Sequence, residues 1–305
     1  MTKNNIKVTS LSLLVMALWG SLFPMIKIGY AAFGINSGSI PDIIMFASAR
    51  FIFSGAVVCI FSYLRKEKLE TPYKKSVFNI CVMGIFSIIL HYAFTYIGLS
   101  MTDSSKTALM KQLASLIYVC FAFLFFKEEK FSILKIFGAV IGFCGIVAIN
   151  YNSDGITFSL GDFLIIGASV CTVIANIIGK KSVEKSSPFW VTGISQLTGG
   201  IVLFAAAVGM GARIPNFTLK STAVFAYICV ASVAAYTLWY LILKNNSLSK
   251  LFIIKFAEPL FACIFGAVLL KENILKIEYL IAFALISGGI MLGNRSEEKN
   301  ESKDI

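Results

Sequence analysis

Histidine is nearly absent from this chain, since His91 is the only one among 305 residues. The seven cysteines are spread along the sequence without a CxxC pair or a Cys/His cluster. These absences argue against a metal site, a disulfide framework and histidine-based catalysis, each of which needs several such residues together. We therefore expect no metal, no cofactor and no enzymatic activity, and we interpret the cysteines as reduced core residues.

Charged residues are also scarce, at 14% of the chain, whereas 57% is hydrophobic and the mean hydropathy is +0.82. The apolar residues occur in runs of about 18–24, the length that a helix needs to cross the hydrocarbon of a bilayer. Short polar links separate the runs. The composition predicts an all-α integral membrane protein.

Ten transmembrane helices are predicted from these runs. They are Val8–Tyr30, Pro41–Leu64, Val77–Ser100, Ser105–Phe126, Phe131–Ile149, Leu160–Gly179, Pro188–Gly209, Ser221–Leu243, Leu248–Leu270 and Ile277–Asn294. A short lead, residues 1–9, precedes them, and the polar tail, residues 295–305, is predicted to be disordered.

The distribution of positive charge predicts the orientation. Of the Lys and Arg residues in the connections and at the adjoining span ends, 18 fall on the side that carries both termini and 5 on the other side. The positive-inside rule therefore predicts that both termini are cytoplasmic, in the plasma or inner membrane. The same rule accounts for the net charge of +11, so we expect a lipid bilayer as the partner and no nucleic acid.

The chain contains an internal repeat. When Lys127-Glu128 is aligned with Lys271-Glu272, Lys111 aligns with Lys255, and Ala114-Ser115 aligns with Glu258-Pro259. The predicted repeats are residues 10–150 and 160–294. Because each contains five spans, the second is inverted relative to the first, as in many secondary transporters.

The motifs and their order resemble the EamA-like branch of the drug/metabolite transporter superfamily. The matching residues are Ala17-Leu18-Trp19-Gly20-Ser21, Arg50, Glu128-Glu129, Glu258-Pro259-Leu260-Phe261 and Lys271-Glu272. The resemblance covers about residues 10–294 and implies a secondary transporter of small metabolites, with a central cavity that opens alternately to each side. The chain departs from the family at Ser115, where a proline is usual, and at Lys111 and Lys255.

Ionisable groups inside a membrane are expensive and mark function. We expect the substrate to contact Lys111, Lys255, Arg50, Ser115, Trp19, Tyr118 and Trp239. We expect coupling or gating to involve Glu258, Pro259, His91 and Pro24.

Other interpretations of these residues stay open. Lys255 and Glu258 are three residues apart and can pair, Arg50 can fix neighbouring helices through their carbonyls, and His91 can be a satisfied core group. The prolines can be ordinary packing kinks. Pro259 cannot donate a hydrogen bond, so the carbonyl of Lys255 is expected to lack its helical partner.

An excess of buried positive charge predicts a substrate with a carboxylate or another anionic group. The expected function is transport, by alternating access, of an amino acid or related anion, with export as the expected direction. The alternatives are a broad-specificity drug efflux pump and, from a different class, a lipid-modifying membrane enzyme. A homodimer contact through glycine stripes (Gly138, Gly142 and Gly145; Gly288, Gly289 and Gly293) is a further alternative.

Overall fold

The structure is a computed structural model that describes residues 3–125, 133–149, 151–152, 155–156, 158–213, 217–246, 251, 254–255, 257–274 and 277–301. Within these ranges it is almost entirely helical. The helices are α1 (Lys3–Phe33), α2 (Ile40–Leu64), α3 (Tyr73–Met101), α4 (Ser104–Met110), α5 (Leu113–Phe121), α6 (Ile133–Ile149), α7 (Leu160–Lys185), α8 (Pro188–Gly209), α9 (Leu219–Asn245), α10 (Ala257–Leu270) and α11 (Ile277–Glu301).

Six helices in the described part of the chain are long and apolar enough to cross a membrane. They are α2, α3, α7, α8, α9 and, within α1, Val8–Phe33. Three shorter apolar helices are Ile136–Ala148, Ala257–Leu270 and Ile277–Gly289. A helix satisfies its own backbone groups, so these segments can present apolar side chains such as Val230 and Val268 to lipid. The prediction of a helical membrane protein is confirmed.

Several elements differ from the predicted spans. A two-stranded antiparallel hairpin, β1 (Tyr151–Asn152) and β2 (Gly155–Ile156), interrupts the all-α pattern. Helix α3 contains a π-helical segment at Ile85–Leu90. Helix α11 runs on to Glu301, into the tail that was predicted to be disordered. Extending an existing helix needs no new nucleus, and Glu and Lys are good helix formers.

The helices pack in a regular set of pairs. Helix α1 packs on α9 and α10, whereas α7 packs on α3 and α5. Helix α2 packs on α8, helix α6 on α11, and helix α4 on α10. The pair of α6 and α11 lies against α5. A cavity is left where α1, α3, α7 and α9 meet the α4–α5 junction and the start of α10.

Glycines allow the closest of these approaches. A Cβ atom at Gly145 of α6 would lie 2.8 Å from the carbonyl oxygen of Ala282 in α11, and Gly289 of α11 contacts Gly138 and Gly142 of α6. The predicted glycine stripes therefore join two helices of one chain. They give no argument for a homodimer, which stays a prediction.

Candidate functional site

The central cavity has an empty volume of about 800 Å³, part of which is open to solvent. The polar part of its wall consists of Arg50, Ser87, His91, Thr95, Lys111, Gln112, Thr172, Asn176, Lys255 and Glu258. The aromatic part consists of Trp19, Phe23, Tyr92, Tyr236, Trp239 and Tyr240. The wall thus carries three basic side chains and one carboxylate.

Lys111 lies at a break between two short helices. Helix α4 ends at Met110, Lys111 and Gln112 form a turn, and α5 begins at Leu113. Within the turn the carbonyl of Lys111 accepts a hydrogen bond from the N–H of Ala114, three residues ahead, at 3.1 Å. Such interruptions of a transmembrane helix are typical of binding sites in transporters, because they bring helix ends and backbone groups into the cavity.

Lys255 also lies in a turn, directly before α10. Its carbonyl accepts a hydrogen bond from the N–H of Glu258 at 3.1 Å. Its helical partner, the nitrogen of Pro259, has no hydrogen to donate, as expected from the sequence, so the bond comes from three residues ahead instead of four. The chain tightens to a three-residue turn, which supplies a donor that Pro259 cannot supply.

The ammonium group of Lys111 contacts a histidine and an aromatic ring. Its Nζ lies 3.4 Å from Nε2 of His91 and 5.1 Å from the ring centre of Phe23. The Nδ1 atom of His91 lies 3.0 Å from the carbonyl oxygen of Ala168 and 2.9 Å from Oγ1 of Thr172. A carbonyl can only accept, so a proton on Nδ1 satisfies it and leaves Nε2 to accept from Lys111.

Lys255 lies against two tryptophans. Its Nζ is 5.7 Å from the ring centres of both Trp19 and Trp239, a distance that allows a cation–π interaction. The two rings are 5.2 Å apart. The indole N–H of Trp239 donates to Oδ1 of Asn176 at 2.9 Å, which fixes the orientation of this ring.

Glu258 is the carboxylate of the cavity wall and is only 5% exposed. It lies in the first turn of α10, where the positive end of the helix dipole stabilises an anion. It interacts electrostatically with both Lys111 and Lys255. Gly20 of α1 brings that helix close to this turn, because a Cβ there would lie 2.9 Å from the carbonyl oxygen of Glu258.

Arg50 of α2 is completely buried. Its NH1 donates to the hydroxyl of Tyr96 at 2.6 Å, and its guanidinium carbon lies 4.6 Å from the ring centre of Phe51 and 5.1 Å from that of Tyr92. Nε and NH2 have no hydrogen-bond partner among the described residues. The hydrogen bond to Tyr96 is made to a side-chain hydroxyl and not to a helix carbonyl, which was the structural alternative for Arg50.

Four of the predicted site residues lie outside the cavity wall. Ser115 and Tyr118 are buried within α5, and Ser115 donates to Oε1 of Gln112 at 3.4 Å. Gln112, in the turn between α4 and α5, lines the wall instead. Pro259 is buried beside Glu258, and Pro24 lies inside the uninterrupted α1.

Several wall residues were not predicted from the sequence, namely Gln112, Thr172, Asn176 and Tyr236. One signal was available, because Thr172 and Asn176 are polar residues four positions apart in an apolar span and so share a helix face. His91 contacts this helix face, because its Nδ1 lies 2.9 Å from Oγ1 of Thr172.

A second carboxylate, Glu272, closes one end of the bundle. It follows α10 and accepts hydrogen bonds from the backbone N–H and the hydroxyl groups of both Ser104 and Ser105, at the start of α4. Lys27 of α1 lies 3.8 Å from it. Burial raises the pKa of Glu272, but the four hydrogen bonds outweigh burial and hold the pKa below its ordinary value. Glu128, its counterpart in the repeat, lies outside the described residues.

No group of three or more His, Cys, Asp or Glu residues that could hold a metal ion occurs in the described part of the chain. The site therefore offers binding groups and titratable groups, namely cations, a carboxylate, an imidazole, hydroxyls and aromatic faces.

Comparison with known families gives two matches along this chain. The model of the EamA-like transporter family matches residues 7–151 and, a second time, residues 159–294.

Individual relatives match over most of their length. An uncharacterized transporter of Archaeoglobus fulgidus is 24% identical over 88% of this chain and 91% of its own. The uncharacterized inner membrane transporter YedA of Escherichia coli is 24% identical over 88% of this chain and 86% of its own. The uncharacterized transporter YvbV of Bacillus subtilis is 23% identical, with 95% and 92% covered.

One solved crystal structure has a similar fold. It superposes with a TM-score of 0.66 and covers 97% of this chain and 99% of its own chain, at 18% sequence identity. At that identity the likeness concerns the fold alone.

Proposed function

The chain belongs to the EamA-like transporter family, and on this basis we propose that it is a secondary transporter of a small metabolite that carries a carboxylate or another anionic group. The family match also confirms that the chain is a transporter and not an enzyme. The observation that carries the proposal is the charge of the cavity wall, where Arg50, Lys111 and Lys255 face a single carboxylate, Glu258. Buried charge is costly unless it is balanced, and an anionic substrate supplies the balance.

The proposed mechanism is alternating access between two inverted five-helix repeats. If a pseudo-twofold axis relates the repeats, the contact of α1 with α9 and α10 should be repeated by α7 with α3 and α5. Both sets of contacts occur. The axis would also pair α2 with α8 and α6 with α11, and these pairs occur too. The matched breaks at Lys111 and Lys255 support the same symmetry.

The proposed orientation places both termini in the cytoplasm and the protein in the plasma or inner membrane. The excess of 18 over 5 basic residues in the connections supports this orientation. Export is the proposed direction. Efflux of hydrophobic cations is the competing proposal, and it would be favoured by unbalanced buried acids in place of the three buried cations.

The test is ligand-induced thermal stabilisation of the purified protein across amino acids, organic acids, nucleotides and hydrophobic cations. We expect anionic solutes to raise the melting temperature and expect Lys255→Ala to weaken this effect. Lys181→Ala, which removes an exposed lysine of α7 away from the cavity, is the matched control. Stabilisation by cations alone, or by anions equally in both variants, would reject the proposed substrate class.

A further inference from the structure

We propose that Nε and NH2 of Arg50 form the carboxylate-binding subsite of the central cavity. This inference rests on the proposed function and deepens it, because it assigns the anionic end of the substrate to one side chain. The matched lysines differ from Arg50, because both interact with one carboxylate, Glu258, whereas no carboxylate among the described residues forms an ion pair with Arg50.

Arg50 has hydrogen-bond donors that the described residues do not use. A guanidinium has five N–H donors, and the edge formed by Nε and one terminal nitrogen matches the two oxygens of a carboxylate. In Arg50 this edge, Nε with NH2, makes no hydrogen bond to the described residues, although both atoms are buried. A buried charge with unused donors is unfavourable. A bound carboxylate supplies both missing acceptors at once.

The guanidinium of Arg50 is held in place by its neighbours. NH1 is held by the hydroxyl of Tyr96, and the rings of Phe51 and Tyr92 lie 4.6 and 5.1 Å from the guanidinium carbon. The hydroxyl of Tyr92 is itself paired with that of Tyr236 at 2.6 Å. Aromatic faces tolerate a cation without neutralising it. The group is thus oriented and keeps its full charge for a ligand.

The basic side chains of the cavity differ in their partners. Lys111 and Lys255 both interact with the carboxylate of Glu258, whereas the guanidinium of Arg50 donates to the neutral hydroxyl of Tyr96. Among the described residues no carboxylate forms an ion pair with Arg50. Arg50 is therefore the basic group of the wall that most needs an anionic partner.

Nearby hydroxyls indicate a second polar group on the substrate. Ser87, His91 and Thr95 are spaced four apart on α3, and all three line the cavity. The hydroxyl oxygens of Ser87 and Thr95 have no hydrogen-bond partner in the described part of the chain. We therefore assign the substrate to small carboxylic acids that carry a further hydroxyl, carbonyl or amino group.

The test compares each acid that stabilises the wild-type protein with its own carboxamide. A charge-assisted hydrogen bond distinguishes such a pair by about 10- to 100-fold in Kd. We expect the Kd of the carboxamide to exceed that of the acid by this factor in the wild type. The ratio of the two Kd values should fall towards one in Arg50→Lys, which keeps the charge but loses the pair of donors Nε and NH2. It should fall in the same way in Arg50→Gln. In Lys255→Ala both ligands should weaken while the ratio is kept.

A measurement on the unmodified protein complements these variants, in case they do not fold. The chain has four arginines, Arg50, Arg65, Arg213 and Arg295, so the Nε signals of protein labelled with 15N-arginine can be assigned. The acid should shift the Arg50 signal, and the carboxamide should not. An acid that binds without shifting this signal, or a ratio that survives in Arg50→Lys, would overturn the assignment and leave the proposed function standing.

Two other outcomes are informative. If phosphate esters bind in an Arg50-dependent way and carboxylic acids do not, the carboxylate class is wrong. If no anion binds the wild-type protein and none is transported, the proposed function fails together with this inference.

Discussion

Lys111 and Lys255 each lie in a turn that directly precedes a helix, and their side chains meet in one cavity. Lys111 separates α4 from α5, and Lys255 precedes α10. Both side chains line the cavity, and both interact with Glu258. Two turns at helix ends thus bring the basic groups of both repeats to one carboxylate.

Neutralising either lysine should weaken the binding of an anionic substrate. We expect Lys111→Met and Lys255→Met to raise its Kd by about 10-fold, because each removes one cation from a wall of low dielectric constant. Methionine keeps most of the side-chain length and adds no charge. Isothermal titration of the purified variants would measure the change, with Lys181→Met as the control. Unchanged Kd values in both cavity variants would contradict a role for the lysines.

Glu258 should be the residue that couples transport to protons. It faces Lys111, Lys255 and Tyr92, so the gain or loss of a proton changes the charge balance of the whole cavity. In Glu258→Gln we expect uptake driven by a pH gradient to be lost from proteoliposomes, while exchange of labelled for unlabelled substrate continues.

The matched control for that experiment is His91→Gln. We expect it to keep the pH-driven component, because His91 is held by Ala168 and Thr172 and serves to position Lys111. If His91→Gln loses the uptake driven by the pH gradient and Glu258→Gln keeps it, His91 and not Glu258 couples transport to protons.

Glu272 should stabilise the fold in a pH-dependent way. Loss of its hydrogen bonds to the start of α4 should cost about 1–2 kcal/mol, as for other helix caps. Because the folded-state pKa lies below the ordinary value of 4.5, this stabilisation is present above pH 4.5 and is lost as pH falls through the lower folded pKa. Lys27, Tyr279 and Cys263 are the other titratable groups near it.

The measurement is the melting temperature of Glu272→Gln and wild type between pH 7 and pH 3. The two should differ at pH 7 and converge in the most acidic samples. Glu184→Gln, at an exposed position of α7, should follow the wild type throughout. A difference in melting temperature between Glu272→Gln and wild type that stays constant from pH 7 to pH 3 would contradict a role of the Glu272 carboxylate in capping α4.

Gly20 should tolerate no larger side chain. A Cβ there would lie 2.7 Å from the Cβ of Phe261 and 2.9 Å from the carbonyl oxygen of Glu258. We expect Gly20→Ala to destabilise the protein by about 1–3 kcal/mol and to weaken substrate binding, because α10 must shift. Gly288→Ala, with no atom within 4 Å of the added carbon, gains the same helix propensity without the clash. Equal stability of the two variants in urea titrations would argue against the close contact.

Much of the framework was predictable because it follows from composition and spacing. The apolar runs predicted the membrane helices, and the aligned lysines predicted two equivalent positions in one cavity. The break at Lys111 was not predictable from local chemistry, since α5 begins without a proline. Only tertiary contacts reveal that the chain turns there. Ser115 and Tyr118 lie outside the cavity wall in this structure, and their contact with a substrate stays a prediction.

The hydrogen bonds of Arg50 could not be predicted from the sequence for a similar reason. Its partner Tyr96 lies 46 positions away, on another helix, so the sequence alone left its hydrogen bonds open. The same holds for Glu272, which is 168 positions from Ser104. A charged side chain in an apolar span indicates that it needs a polar or charged partner. Which residue becomes that partner depends on the three-dimensional fold.

The most direct test of the account is substrate exchange in proteoliposomes that contain the wild-type protein. The acid that binds most tightly is loaded inside, and uptake of the labelled acid is compared with uptake of its labelled carboxamide. We predict that the acid is exchanged rapidly and that the carboxamide enters no faster than it enters empty liposomes. Equal exchange of the two, or exchange of organic cations in their place, would contradict a cavity selective for anions.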